Sequence, residues 1–120
     1  MRFLIVDDSA LIREQIKQIL KEYFETVEIE IAENGVEALE KHRSFKPAVI
    51  MLDYIIPEPD GLAILKILKK VDKQVQVILV TTLGGQKYIY NQCIEYGAAA
   101  ITTKPITKEK IIRVINNILG

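Results

Sequence analysis

Short apolar runs that end in a polar or charged residue alternate along this chain with segments whose apolar residues recur every three or four positions. The run Val49-Ile50-Met51-Leu52 stops at Asp53, ahead of a loop containing Pro57, Pro59 and Asp60-Gly61. An apolar run without alternation, bounded by a proline-rich turn, predicts a strand buried on both faces, as in parallel sheets covered by helices. Residues 2–6 stop in the same way at Asp7-Asp8. Val27, Ile29 and Ile31 alternate with Glu28 and Glu30, which predicts an edge strand with one polar face. Val75 to Val80 form a fourth strand ending at Thr81-Thr82, and residues 98–102 a fifth, built of small residues and ending near Thr103-Lys104-Pro105.

Between these strands the spacing is helical. Leu11, Ile12, Ile16, Ile19, Leu20 and Tyr23 predict a helix over 9–24, with Ser9 as its N-cap. Asn34 followed by Glu37 is a capping-box pattern opening a helix to Phe45. Asp60-Gly61 starts a third, with Leu62, Leu65, Ile67 and Leu68 inward and Lys66, Lys69 and Lys70 outward. After the glycines of Leu83-Gly84-Gly85, predicted as a flexible loop, a fourth helix over 86–96 stops at Gly97. Thr107 caps the last helix, which carries Ile111, Ile112, Ile115, Ile118 and Leu119.

Five strands alternating with five helices specify an α/β fold, a doubly wound parallel sheet with right-handed crossovers. The expected architecture is the flavodoxin-like (βα)5 arrangement with strand order 2-1-3-4-5, whose switch point lies between strands 1 and 3. Ligands bind such sheets in the crevice beyond the carboxyl ends of the strands, which is where Asp7, Asp8 and Asp53 fall.

Composition narrows the classes. At 120 residues and 49% hydrophobic content the chain forms one domain with a core of its own. Basic and acidic residues number 16 each, so there is no electrostatic footprint for nucleic acid or an anionic membrane. No segment has the length of a membrane span, and Met1 to Val6 are too short an apolar stretch for a signal peptide. Cys93 has no second cysteine to pair with and is assigned to helix packing. His42 is expected on a solvated helix face, Lys66, Lys69, Lys70 and Lys73 are expected to form a solvated run, and an exposed Tyr88, Tyr90 or Tyr96 would be a partner anchor.

The topology brings Asp7, Asp8, Asp53, Thr81 and Lys104 to one end of the sheet. Two carboxylates about 4 Å apart repel by roughly 4 kcal/mol at an effective dielectric near 20, so three gathered in a cleft call for a cation. Lys104 supplies one positive charge against three negative, and a divalent ion would balance the rest. All-oxygen ligands favour magnesium, manganese or calcium over zinc. A lysine reaching this cleft can hold an incoming phosphoryl group as a point charge, and Thr81 can add a hydroxyl donor. Asp53 would then act as a nucleophile, forming an acyl phosphate.

Val6-Asp7-Asp8-Ser9, Asp53 with Pro57 and Asp60-Gly61 behind it, Thr81, Gly97-Ala98 and Thr103-Lys104-Pro105 occur in this order along the chain. With these motifs the chain resembles the receiver domain of two-component response regulators over essentially its whole length, 1–120. The resemblance implies Asp53 as phospho-acceptor, Mg2+ as cofactor with Asp8 a direct ligand, Asp7 a mainly water-mediated one and the Ile55 carbonyl another, and Thr81 and Lys104 as phosphoryl contacts. It also implies a cytoplasmic protein that takes phosphate from a histidine kinase and is not an enzyme with a separate substrate. The strings Asp8-Ser9-Ala10-Leu11-Ile12-Arg13 and Thr81-Thr82-Leu83-Gly84 look like the chemotaxis, CheY-like branch of stand-alone regulators. Partners implied there are a downstream target such as a flagellar motor or other chemotaxis component, and a phosphatase, with no nucleic acid and no membrane insertion.

Thr82, Ile101 and Tyr88 fall at switch and output positions of the family. Ile101 stands where it usually has Tyr or Phe, Thr82 is bulkier than the usual Ala, and Ile55 replaces a commonly polar residue. An aspartate-nucleophile phosphohydrolase of the haloacid-dehalogenase kind is the competing enzyme class, but its second Asp, two after the nucleophile, is here Ile55. A receiver excised from a larger regulator, an adaptor that has lost phosphorylation, and a flavin-binding module are the remaining alternatives. The last lacks a phosphate cradle, because the loop after strand 1 is acidic.

Overall fold

The computed structural model describes residues 1–56, 59–82 and 87–120. In chain order the elements are β1 (Arg2–Val6), α1 (Ala10–Tyr23), β2 (Glu28–Ala32), α2 (Gly35–Phe45), β3 (Val49–Asp53), α3 (Gly61–Val71), β4 (Gln76–Thr81), α4 (Lys87–Glu95), β5 (Ala100–Thr103) and α5 (Lys108–Leu119). The strands pair in parallel in the order β2-β1-β3-β4-β5, as expected.

Strand periodicity divides the core into two layers. Leu4, Val6, Ile50, Leu52, Val77 and Leu79 point to one face, where Ala38, Ile64, Leu65, Leu68 and Cys93 of α2, α3 and α4 cover them. Phe3, Ile5, Val49, Met51, Ile78 and Val80 point to the other, beneath Ile16 and Leu20 of α1 and Ile111, Val114 and Ile115 of α5. The central strands lack alternation because both faces are covered. No helix of the described residues is long and apolar enough to cross a membrane.

The caps fall where the side chains require them. Ser9, Asn34, Asp60 and Thr107 each accept a hydrogen bond from the backbone N–H three residues on, satisfying a donor that the first helical turn leaves open. Gly97 adopts φ +103°, the left-handed conformation of a helix-terminating glycine. The chain then closes α4, with Ala98 N–H donating to the Cys93 carbonyl, and so β5 begins two residues later than its apolar pattern implied.

The inward assignment of Ile67 and the solvated readings of His42 and the lysine run are corrected, and three other apolar residues of the patterns lie at the surface. Leu11 is 69% exposed, because the inward stripe of α1 runs through Ile12, Arg13, Ile16, Ile19 and Leu20. Ile67 is at the rim of α3, where Ile64 holds the inward place. Ile31 lies on the exposed edge strand beside the polar flank of α1, and Leu119 sits at a helix end. His42 is not solvated: its Nε2 lies 2.9 Å from Asp72 Oδ2, joining α2 to the C-cap of α3. Lys69 donates to the Lys73 and Val75 carbonyls, and Lys66 lies over the Tyr96 ring, so the lysine run is partly engaged.

Candidate functional site

The carboxyl ends of β1, β3, β4 and β5 converge on one cleft. Asp53 is the last residue of β3 and is 5% exposed. Two backbone contacts fix its surroundings: Tyr54 N–H donates to the Val80 carbonyl, and Gly61 N–H donates to the Tyr54 carbonyl. A Cβ at Gly61 would lie 2.6 Å from the Asp53 carbonyl oxygen, so α3 can start this close to the strand end only with glycine there. Asp60, immediately before, caps α3 through Ala63 N–H.

Asp7 follows β1 and is buried. Its N–H donates to the Ala32 carbonyl, and its Oδ1 accepts from Ser9 N–H at 2.9 Å. Asp8 is exposed to solvent. One oxygen from each of Asp7, Asp8 and Asp53 can be chosen so that all lie within 4.8 Å of one another. Lys104, just past β5, bridges the two buried carboxylates, with Nζ 3.1 Å from Asp7 Oδ2 and 3.2 Å from Asp53 Oδ2. Its own N–H donates to the carbonyl of Thr81, a buried residue at the end of β4, which ties the last two strand ends together.

Burial is the main cause that raises the Asp53 carboxyl from 3.8 to about 6, and the Asp7 charge adds to it. Ile55 N–H, donating to Asp53 Oδ1 at 3.2 Å, and Lys104 oppose the rise. For Lys104, burial favours the neutral amine, but its bonds to Asp7 and Asp53 outweigh this and raise its pKa. With two buried carboxylates and one exposed, all-oxygen and short of positive charge, the cleft suits a hard divalent cation.

The Ile55 side chain is 58% exposed beside Asp53, Thr82 is exposed, and Tyr88 is 73% exposed on the first turn of α4. Ile101 is partly buried against the core layer that includes Leu79 and Cys93. Pro57, Leu83, Gly84 and Gly85, named from the sequence as loop and cleft residues, and the expected start of α4 at residue 86, lie outside the described residues.

Sequence reasoning missed Arg13. It is 9% exposed, and its Nη1 donates to the Asp7 main-chain carbonyl at 2.7 Å. The signal was present, since an arginine falls three before Ile16 and seven before Leu20, inside an apolar stripe.

The profile of the response regulator receiver domain matches residues 3–116. The chemotaxis protein CheY of Bacillus subtilis is 38% identical over 120 residues, covering 99% of this chain and 98% of its own. CheY of Halobacterium salinarum is 33% identical, covering 97% and 94%. Among solved structures, the CheX–CheY–BeF3–Mg2+ complex from Borrelia burgdorferi contains a chain that superposes with a TM-score of 0.93 at 26% identity, covering all of this chain and 90% of that one.

Proposed function

The chain belongs to the response regulator receiver family, and from that premise we propose that it is a phosphorylation-dependent switch of the chemotaxis, CheY-like type in which Asp53 accepts the phosphoryl group. The observation that carries this reading is the contact of Lys104 Nζ with both Asp53 and Asp7 in a cleft that Asp8 completes. A carboxylate oxygen of Asp53 attacks the phosphorus of a kinase phosphohistidine. The P–N bond breaks as the P–O bond forms, and the imidazole leaves with the electron pair.

Asp8, Asp53 and the Ile55 carbonyl would hold Mg2+ directly, and Asp7 mainly through water. When bound, the ion supplies charge neutralisation for the phosphoryl oxygens. Lys104 can exchange its carboxylate contacts for a phosphoryl oxygen, and the Thr81 hydroxyl, at the neighbouring strand end, can donate to another. Because Lys104 N–H is bonded to the Thr81 carbonyl, movement of either strand end is passed to the other. Thr82, Ile101 and Tyr88 then register the change on the face formed by α4, β5 and α5.

That face carries a groove of about 460 Å³ lined in part by Tyr90, Ile101, Thr103, Lys110, Arg113 and Val114. Lys110 Nζ donates to Thr103 Oγ1 at 3.0 Å, so the groove is joined to the strand that delivers Lys104. It is the surface assigned to a downstream target, such as a motor or other chemotaxis component, in the cytoplasm where a histidine kinase donates phosphate. Ile55 cannot orient a hydrolytic water by hydrogen bonding, which favours a long-lived phosphoryl state and resetting by a separate phosphatase.

The haloacid-dehalogenase reading is not favoured, since an aliphatic side chain stands at the position of that family's general acid. Incubation with magnesium and acetyl phosphate, followed by intact mass measurement, tests the proposal. One added phosphoryl group on the wild type and none on Asp53→Asn is the expected result. Equal addition to both proteins overturns it.

A further inference from the structure

Arg13 is a buried cation beneath an acidic cleft, yet it touches none of the carboxylate groups there that the structure records. Its Nη1 donates to the main-chain carbonyl of Asp7 at 2.7 Å, the short distance of a charge-assisted bond. Its Nη2 is 3.8 Å from Glu33 Oε1, whose side chain is 63% exposed, so this pairing is loose. Its Nε is buried and has no hydrogen-bond partner among the described residues. Burying a guanidinium that is only partly paired is costly, and an apolar side chain of similar length at this position would pack on the same stripe without that cost. The compensating benefit lies at the strong contact it makes with the Asp7 carbonyl.

The Asp7 carbonyl belongs to the peptide that leads into Asp8. Asp7 is held on every other side: its N–H donates to Ala32, its Oδ1 accepts from Ser9 N–H, and its Oδ2 meets Lys104. The Asp7 carbonyl is the remaining polar group of that residue, and the Arg13 bond restrains rotation of the Asp7–Asp8 peptide through it. The orientation of that peptide sets the position from which the exposed Asp8 side chain reaches the cleft.

We propose that Arg13 is a positioning residue for the metal cleft: it clamps the Asp7–Asp8 peptide from below and so aims Asp8 at the site shared with Asp7 and Asp53. The inference rests on reading these carboxylates as the Mg2+ site. It has a sign that a simple field effect lacks. As a nearby positive charge alone, Arg13 repels a divalent cation, and removing it would tighten Mg2+ binding. As a clamp, its removal loosens binding, by the tenfold or more typical of partners that orient metal ligands.

The test is Mg2+ titration of the unphosphorylated protein by calorimetry, on wild type and Arg13→Met, with far-ultraviolet circular dichroism confirming that both are folded at the working temperature. Should the Met variant not fold, Arg13→Gln is read in the same way. Weakening of Mg2+ affinity by about tenfold or more in the folded variant supports the proposal. Unchanged affinity with lowered thermal stability assigns Arg13 a structural role only and overturns it, as does tighter binding. If the wild type itself binds no Mg2+, the reading of the cleft fails instead, which is a separate outcome.

Discussion

Asp53→Asn should make the metal-free protein more stable at neutral pH. Holding Asp53 ionised in the fold is unfavourable, because burial and then the Asp7 charge raise its pKa from 3.8 to about 6 despite Ile55 N–H and Lys104. At about 1.4 kcal/mol per tenfold change in acidity this is on the order of 3 kcal/mol, and solvent at the cleft mouth screens part of it, leaving about 1–2 kcal/mol. The sign follows from proton binding. Between pH 3.8 and about 6 the folded chain holds the Asp53 proton more tightly than the unfolded chain, so wild-type stability falls as pH rises through that window. Above it the whole penalty is present, and below it none is. Denaturant unfolding in EDTA at several pH values should therefore show the Asn variant ahead by about 1–2 kcal/mol at pH near 7.5, converging with wild type at pH near 3.5. Mg2+ should reverse the order by stabilising the wild type, by about 2.7 kcal/mol at a hundred times its dissociation constant. An Asn variant no more stable than wild type at neutral pH without metal, or an advantage that does not change with pH, would refute the electrostatic account of the cleft.

Other outcomes follow from the same geometry. Asp8→Ala should weaken Mg2+ binding by about tenfold or more, and by more than Asp7→Ala does, measured by calorimetric titration; equal losses would contradict the assignment of Asp8 as the direct ligand. Ile55→Asn, which places a polar group at the cleft mouth, should speed loss of the phosphoryl group, each tenfold corresponding to about 1.4 kcal/mol of barrier. Decay of the phosphorylated variant at or below the wild-type rate would exclude Ile55 as the shield. Gly61→Ala, with its Cβ forced to within 2.6 Å of the Asp53 carbonyl oxygen, should destabilise the fold by about 1–3 kcal/mol in chemical denaturation and slow phosphorylation by acetyl phosphate. A variant of unchanged stability and rate would show that the strand end yields more easily than this contact implies.

The strand ends were the most legible part of the chain. An apolar run that stops at Asp53, and another that stops at Asp7-Asp8, state both a strand and the crevice beyond it, because burial on two faces forbids polar residues until the strand leaves the sheet. Caps were equally readable, since Ser9, Asn34, Asp60 and Thr107 act on a donor three residues away and need no tertiary information. Pairings between distant elements were not. Nothing local tells His42 that the C-cap of α3 lies beside it, or tells Arg13 that a strand-end carbonyl is within reach. Amphipathic patterns also located the helices better than they ranked their rims, which is why Leu11 and Ile67 face solvent while Arg13 and Ile64 face inward. The acidity of Asp53 could not be read at all, because it depends chiefly on burial in the folded cleft.

The central claim is that Asp53 forms the acyl phosphate, and locating the modification tests it most directly. The wild type, loaded with acetyl phosphate and Mg2+, is reduced with borohydride, which converts an aspartyl phosphate to the corresponding alcohol, and is then digested and sequenced by mass spectrometry. The reduced residue should be found at Asp53, with Asp7 and Asp8 unmodified. Reduction at Asp7 or Asp8, or phosphate retained on a hydroxyl side chain with Asp53 intact, would contradict the account.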